Sequence, residues 1–221
     1  MVDQNSDREV REVAGFTAVL FKAAGKIVLT QGQTEGLEIQ ADAEVRSRIH
    51  HEVKDGVLIL TYDADWLDWT GLRLVAGGLA IYHLSMKEIR SLRFSGVGAL
   101  DAAEINGDTL TLNLVGSGRI KIGSVKVNGL NVDISGVGTV DVAGECADLN
   151  VKLDGAGSFR ASRLKSNHSK VNLSGVGSAT VWAKENLDVT ISGVGTVEYY
   201  GAPQISQKVS GIGTIKLHGN R

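Results

Sequence analysis

Four sets of residues in this chain have the type and spacing to do chemistry. The first is a glycine pair written seven times: Ser95-Gly-Val-Gly98, Val115-Gly-Ser-Gly118, Ser135-Gly-Val-Gly138, Asp154-Gly-Ala-Gly157, Ser174-Gly-Val-Gly177, Ser192-Gly-Val-Gly195 and Ser210-Gly-Ile-Gly213. Beside a strand, such a pair could present backbone N–H groups to a phosphate, but that needs a third glycine or a Gly-Lys-Ser/Thr element opening a helix. No copy has one. Calcium-binding β-rolls also repeat glycine and aspartate, with a nonapeptide period that is absent here. The second set is acidic: Asp133 and Asp154 lie near a repeat corner, and sugar-chain cleavage needs two carboxylates converging on one face. Their expected neighbours are Asn, Lys and Gly, and the outward acids alternate with Lys and Arg. The third is histidine, as His50, His51, His83, His168 and His218. Adjacent residues of a strand point to opposite faces, so the His50 and His51 side chains do not readily share one metal. The fourth is Trp66 and Trp69, set among Asp63, Asp65 and Asp68. Aromatic residues in a loop contact a partner or a sugar ring, or fold down to plug the end of a core. The plug is the commoner arrangement.

The elements that would position these residues are strands. The first glycines of the seven pairs stand 20, 20, 19, 20, 18 and 18 residues apart. A repeat near twenty falls in the range of stacked-coil architectures. Each pair is flanked by alternating segments, such as Val132-Asp-Ile134 before it and Thr139-Val-Asp-Val142 after it, the mark of half-buried strands. Stacked in register about 4.8 Å apart, equivalent positions form columns. The inward columns read Leu100, Ile120, Val140, Phe159, Ala179, Val197, Ile215 and Phe94, Leu114, Ile134, Leu153, Leu173, Ile191, Val209. Glycine at the bend tolerates unusual backbone angles and close approach of neighbouring coils. The serine before most pairs has a hydroxyl suited to bonding local backbone at a turn. One outward column, Asp101, Lys121, Asp141, Arg160, Thr180, Glu198 and Lys216, alternates in sign between most neighbours, as in-register stacking would favour.

Composition narrows the class further. With 43% hydrophobic and 22% charged residues the chain is globular, and 28 Gly against one Pro suit many tight corners joining strands. A net charge of −2 with no basic stripe argues against nucleic acid as a partner. The lone Cys146 allows neither an internal disulfide nor a cysteine-rich metal site, so no cofactor or metal is expected. Met1 to Val10 are polar and no later run reaches the length of a membrane span, so the chain reads as soluble and not membrane-spanning. Export would call for a targeting segment ahead of Met1.

In chain order, residues 1–12 read as a polar lead, 13–90 as a less regular N-terminal β lobe or cap, and 91–221 as a regular β-helix of seven coils. Within the lobe, Ala23-Ala-Gly25-Lys-Ile27-Val-Leu29 resembles a decayed copy of the glycine corner. Asp55-Gly56 reads as a tight turn joining strands over 50–54 and 57–62. Gly77-Gly78 marks a turn within β character over 72–84. The final coil ends near Leu217 with little left to cover it. It is an edge for pairing with another chain unless charges such as Lys208 and Lys216 blunt it.

Arg11-Glu-Val-Ala-Gly15-Phe16, the Gly25-Lys-Ile27 to Gln31-Gly32 segment, Val53-Lys-Asp55-Gly56 and the serial Ser-Gly-x-Gly units together resemble the DUF2807 family, an auto-transporter adhesin head (GIN) domain. The likeness spans about residues 11–217. It implies an all-β, right-handed parallel β-helix similar to the pectin lyase-like group without that group's catalytic residues. It further implies an envelope or secreted location and a role in adhesion. The expected partner is a cell-surface protein or glycan, met by a long flat β face or by the loop that carries Trp66 and Trp69. Two other functions stay open: a self-assembling structural scaffold, joined end to end through the last coil as in bactofilins, and a carbohydrate-active β-helix enzyme.

Overall fold

The computed structural model describes residues 7–63 and 80–219. Strands account for nearly all of it. Each glycine corner is entered by one strand and left by another: β8 (Ser91–Phe94) and β9 (Val97–Asn106), β10 (Thr109–Leu114) and β11 (Ser117–Ile134). From β11 onward the second arm of one coil runs straight into the first arm of the next, giving the long strands β12 (Val137–Leu153), β13 (Ala156–Leu173) and β14 (Val176–Ile191). The stack finishes with β15 (Val194–Tyr200), β16 (Gln204–Val209) and β17 (Ile212–Gly219). All of these pair in parallel, each with its counterpart one coil on, so the chain is an all-β parallel β-helix.

The registers place the glycine pairs in single rows. Gly98, Gly118, Gly138, Gly157, Gly177, Gly195 and Gly213 are successive partners. Both inward columns read from the sequence are present, rung for rung. Side chains from Leu100 to Val197 and from Phe94 to Ile191 are buried, and only the last coil's Ile215 and Val209 are not. The interior is therefore a stack of aliphatic layers, whose burial is the main favourable term in such a fold. Two buried hydroxyls interrupt it. Ser166 gives its one proton to the Trp182 carbonyl at 3.0 Å, so Ser169 is the donor in the 2.6 Å contact between the two hydroxyls.

The stack does not begin at residue 91. β2 (Ala18–Lys22) and β3 (Ala24–Gln31) already form a coil, with Phe21 beside Phe94 and Gly25 beside Gly98, as the decayed corner at Ala23 to Gly25 suggests. β6 (Val57–Tyr62) and β7 (Ile81–Met86) form another, laid in parallel on the opposite side of β2 and β3. The first coil wound by the chain thus lies between two coils made later. Phe21 stacks on Phe94 with ring centroids 4.8 Å apart and meets Tyr82 edge-on at 5.2 Å, tying the three coils together. Burial raises the pKa of the Tyr82 hydroxyl, which donates to the Ala24 carbonyl.

The outer edge of that coil is closed by antiparallel strands. β5 (Ile49–Lys54) pairs with β6 through the Asp55-Gly56 turn, whose φ angles of 50° and 75° are those of a primed hairpin turn. β4 (Gly36–Gln40) pairs with β7, and β1 (Arg8–Arg11), which lies within the polar lead, pairs with β4. A short helix α1 (Ala43–Ser47) bridges β4 and β5 and sets Val45 against the core. Reversing strand direction ends the parallel ladder and leaves no parallel edge at this end.

Each corner is hydrogen-bonded to the coil before it. The Leu114 carbonyl accepts from the Ser135 and Gly136 amides, and the Gly116 carbonyl accepts from Val137 at 2.9 Å. A Cβ on Gly136 would run into that same Gly116 oxygen and come within 2.6 Å of the Val115 carbonyl carbon. Gly136 is needed for approach alone. Gly138 is needed twice over, because its φ of 150° disfavours a side chain and a Cβ would strike the Gly118 carbonyl. The corner serines do not take the local role expected of them: the hydroxyl bond formed in that column runs between coils, from Ser174 to the Asp154 carboxylate.

Gly138→Ala is expected to destabilise the protein by about 3 kcal/mol, lowering the thermal midpoint by roughly 6–12 °C. Gly36→Ala, where a Cβ meets nothing within 4 Å, should stay within about 0.5 kcal/mol of the parent. Thermal melts followed by circular dichroism check both, and equal effects would contradict the close-approach account.

Candidate functional site

The sites read from the sequence fare differently. Trp66 and Trp69 lie outside the described residues. Asp133 and Asp154 do not act as a pair: the rung partner of Asp133 is Lys152, and Asp154 is held by the Ser174 hydroxyl and by Lys152 at 3.4 Å. The Ser174 hydrogen bond, aided by Lys152, keeps the Asp154 carboxyl below its ordinary range, the reverse of what a general acid requires. The histidines are dispersed. His50 meets Asp63 at 2.7 Å, His218 meets Glu198 at 3.2 Å, and the Asn186 amide nitrogen donates to His168 Nδ1 at 2.9 Å. Among the described residues no three His, Cys, Asp or Glu side chains stand together as metal ligands. Burial pushes the Cys146 thiol up to about 12, so at neutral pH it is not the thiolate a nucleophile must be.

The alternating outward column is present in register from Asp101 to Lys216. Its ion pairs, however, run diagonally. Asp101 meets Lys26 at 2.8 Å, and Asp141 meets Arg119 at 3.6 Å. Neither partner is the residue directly opposite. Pairs this exposed contribute at most about 1 kcal/mol each.

The described residues form, among other hollows, two lateral grooves on the outer surface. One, of about 340 Å³, lies along the first arms of the coils. Asn113, Asn131, Asn150 and Asn172 line it with Asp133, Lys152 and Lys170. Asn150 donates to the Asn131 side-chain carbonyl at 3.2 Å, a rung of a carboxamide ladder. The other, of about 540 Å³, lies along the far bend of the coils and is lined by Lys126, Glu145, Lys165 and Lys184 with Asn106, Asn128 and Asn167. Sequence reading missed both. Their residues are two apart within a strand and about twenty apart between strands, so only the register gathers them.

Two apolar features complete the surface. The residue between the paired glycines faces solvent, and Val97, Val137, Val176, Val194 and Ile212 form a ridge with exposures of 47–75%. At the C-terminal end the inward positions of the last coil are uncovered: Ile205 is 36%, Val209 46% and Leu217 51% exposed. Nothing equivalent to the antiparallel strands of the other end lies over them among the described residues. No helix among those residues is long and apolar enough to cross a membrane.

Comparison with known proteins agrees with this geometry. A putative adhesin from Bacteroides fragilis NCTC 9343 superposes with a TM-score of 0.84 at 28% identity, over 95% of both chains. A putative adhesin from Parabacteroides distasonis ATCC 8503 has the same fold at TM-score 0.64 and 19% identity, over 95% of both chains. A putative lipid binding protein from the same organism follows at TM-score 0.62 and 19% identity, over 98% of both. No curated protein matches the sequence. The sequence profile of the family described as "Putative auto-transporter adhesin, head GIN domain" matches residues 15–203. The match takes in the decayed corner, the closing strands β4 and β5 and six of the seven glycine pairs, and the chain belongs to the DUF2807 family.

Proposed function

We propose that this protein is a non-enzymatic binding scaffold that works outside the cytoplasm, in the periplasm or at the cell surface, and holds a surface glycan or protein against the outer face of its solenoid. The observation that carries this is the outer surface itself. Polar side chains are set in rows at the strand spacing, with no convergent acid–base pair among the described residues and a buried, protonated thiol. Such rows suit recognition, because their backbone is fixed by the ladder before any ligand arrives. The family supports adhesion as the role and an extracytoplasmic location.

A second reading has its own observation. Among the described residues the last coil leaves both arms, β16 and β17, with an unpaired backbone edge beside exposed Ile205, Val209 and Leu217. An uncovered apolar edge is a template for another strand. A second copy related by a two-fold axis would meet it in antiparallel fashion and close the pair. Lys208 and Lys216 oppose that contact by charge, so the resulting dimer is weak.

Retention of the protein on a glycan array or a cell-surface protein array, without chemical change in the retained ligand, is the expected result of a direct test. Turnover of a polysaccharide seen by mass spectrometry would replace the scaffold with an enzyme. For the second reading, sedimentation velocity should show a dimer growing with concentration. Val209→Asp with Leu217→Glu should return it to monomer while moving the thermal midpoint by less than about 4 °C, since both side chains are already half exposed. A wild-type chain that stays monomeric across the concentration range removes the dimer.

A further inference from the structure

The groove along the far bend belongs to a longer row. Successive strand partners place Asn106 beside Lys126, Lys126 beside Glu145, Glu145 beside Lys165, Lys165 beside Trp182, and Trp182 beside Tyr200. Six coils therefore present one track, amide and charged over its first four positions and aromatic over its last two. From Lys126 to Lys165 is two rungs, about 10 Å. Both rings are half-buried. The Lys165 ammonium lies 5.1 Å from the centre of the Trp182 ring, which fixes the cation where charge and aromatic surface meet. The Ser166 hydroxyl, buried beneath, holds the Trp182 carbonyl. Tyr200 in turn packs its ring against His218 at 5.2 Å.

Charge and spacing select the ligand. Lys126 lies 3.6 Å from Glu145, whereas Lys165 and Lys184 have no carboxylate partner among the described residues. The groove thus carries surplus positive charge in a protein of net charge −2. A phosphate backbone with a charge at every step would meet Glu145 between the lysines and be repelled there. A sugar polymer with an acidic group at intervals would not: its carboxylates face Lys126 and Lys165, and its hydroxyls donate to Glu145 and exchange hydrogen bonds with Asn106, Asn128 and Asn167. Its ring C–H faces pack on Trp182 and Tyr200, the mixed apolar and polar contact that indole and phenol rings are suited to make. We infer that the Lys126–Lys165–Trp182–Tyr200 row is the binding track for a linear acidic polysaccharide lying along the solenoid axis. This rests on the scaffold reading above and names the ligand class and the face.

The test uses the whole chain and a polymer in which uronate and neutral N-acetylhexosamine alternate, hyaluronan, as probe, with its neutral methyl-esterified form as control, measured by isothermal titration calorimetry. Binding should favour the acid form and weaken as salt is raised. Lys165→Gln with Lys184→Gln should weaken it at least about tenfold, the scale of one lost charge-assisted contact. Trp182→Ala should weaken it for the acid form without restoring the neutral one. Lys152→Gln with Lys170→Gln, on the other groove, should leave it unchanged. Circular dichroism melts confirm that each variant is folded; should Trp182→Ala unfold, Tyr200→Ala takes its place. Equal binding of the neutral polymer, or loss of binding in the Lys152 and Lys170 variant instead, overturns the assignment of ligand or face and leaves the scaffold standing. Failure to bind hyaluronan while an array retains the protein through another ligand does the same. Failure on every glycan and surface-protein array takes the scaffold reading with it.

Discussion

The structure depends on how closely one coil can approach the next at the bend. Along the strands the spacing is set by the ladder, about 4.8 Å, and any side chain is accommodated because it points in or out. At the bend the chain turns across that direction, and the Cβ of a residue such as Gly136 would occupy the place of the Gly116 carbonyl oxygen. That oxygen already accepts the Val137 amide. A side chain there would both clash and pull apart the hydrogen bond that carries the ladder round the corner. Glycine keeps the bend in the ladder, so backbone pairing is continuous from one arm to the other.

From that continuity the division of labour between inside and outside follows. Inside, each layer is bounded by layers 4.8 Å away, so only side chains that pack flat and carry no unmet polar group fit. The buried Ser166 and Ser169 are tolerated because each proton has an acceptor. Among the described residues the interior is filled by these layers, and the surfaces they present for recognition are the outer columns and the uncovered end. The two ends differ for the same reason. At one, chain direction reverses through β4, β5 and α1, and the ladder terminates in antiparallel strands. At the other, it stops with its inward positions facing solvent.

Much of this was legible because a solenoid turns a nonlocal problem into arithmetic. Adding about twenty to Phe94 or Leu100 finds the next member of a buried column, and the glycines mark where to begin counting. The tight turn at Asp55-Gly56 was legible too, because its left-handed angles demand those residue types. The order of the first coils was not. β2 and β3 lie between β6–β7 and β8–β9, and parallel pairing between distant segments leaves no local mark. α1 is five residues long, and its Asp42 and Glu44 are too slight a signal against the surrounding strands. Trp66 and Trp69, read from residue type as a candidate contact, fall outside the described residues.

The lysine and aromatic row was hidden by a different cause. Its members stand 20, 19, 20, 17 and 18 residues apart, from Asn106 through Lys126, Glu145, Lys165 and Trp182 to Tyr200. Counting from the glycines fails there, because the ladder slips between Ile122 and Val125, between Asp141 and Ala143, and between Arg160 and Lys165. Each slip lets a coil gain or lose residues while the strands on either side stay paired. The far bend is thus the part of the coil where length is free to vary, whereas the glycine bend cannot change without breaking its close contact. Variation in a repeat scaffold collects where the backbone tolerates it. A surface whose chemistry changes from coil to coil, amide to lysine to indole, is therefore expected at the far bend and not at the glycine corner, where the same short phrase recurs seven times.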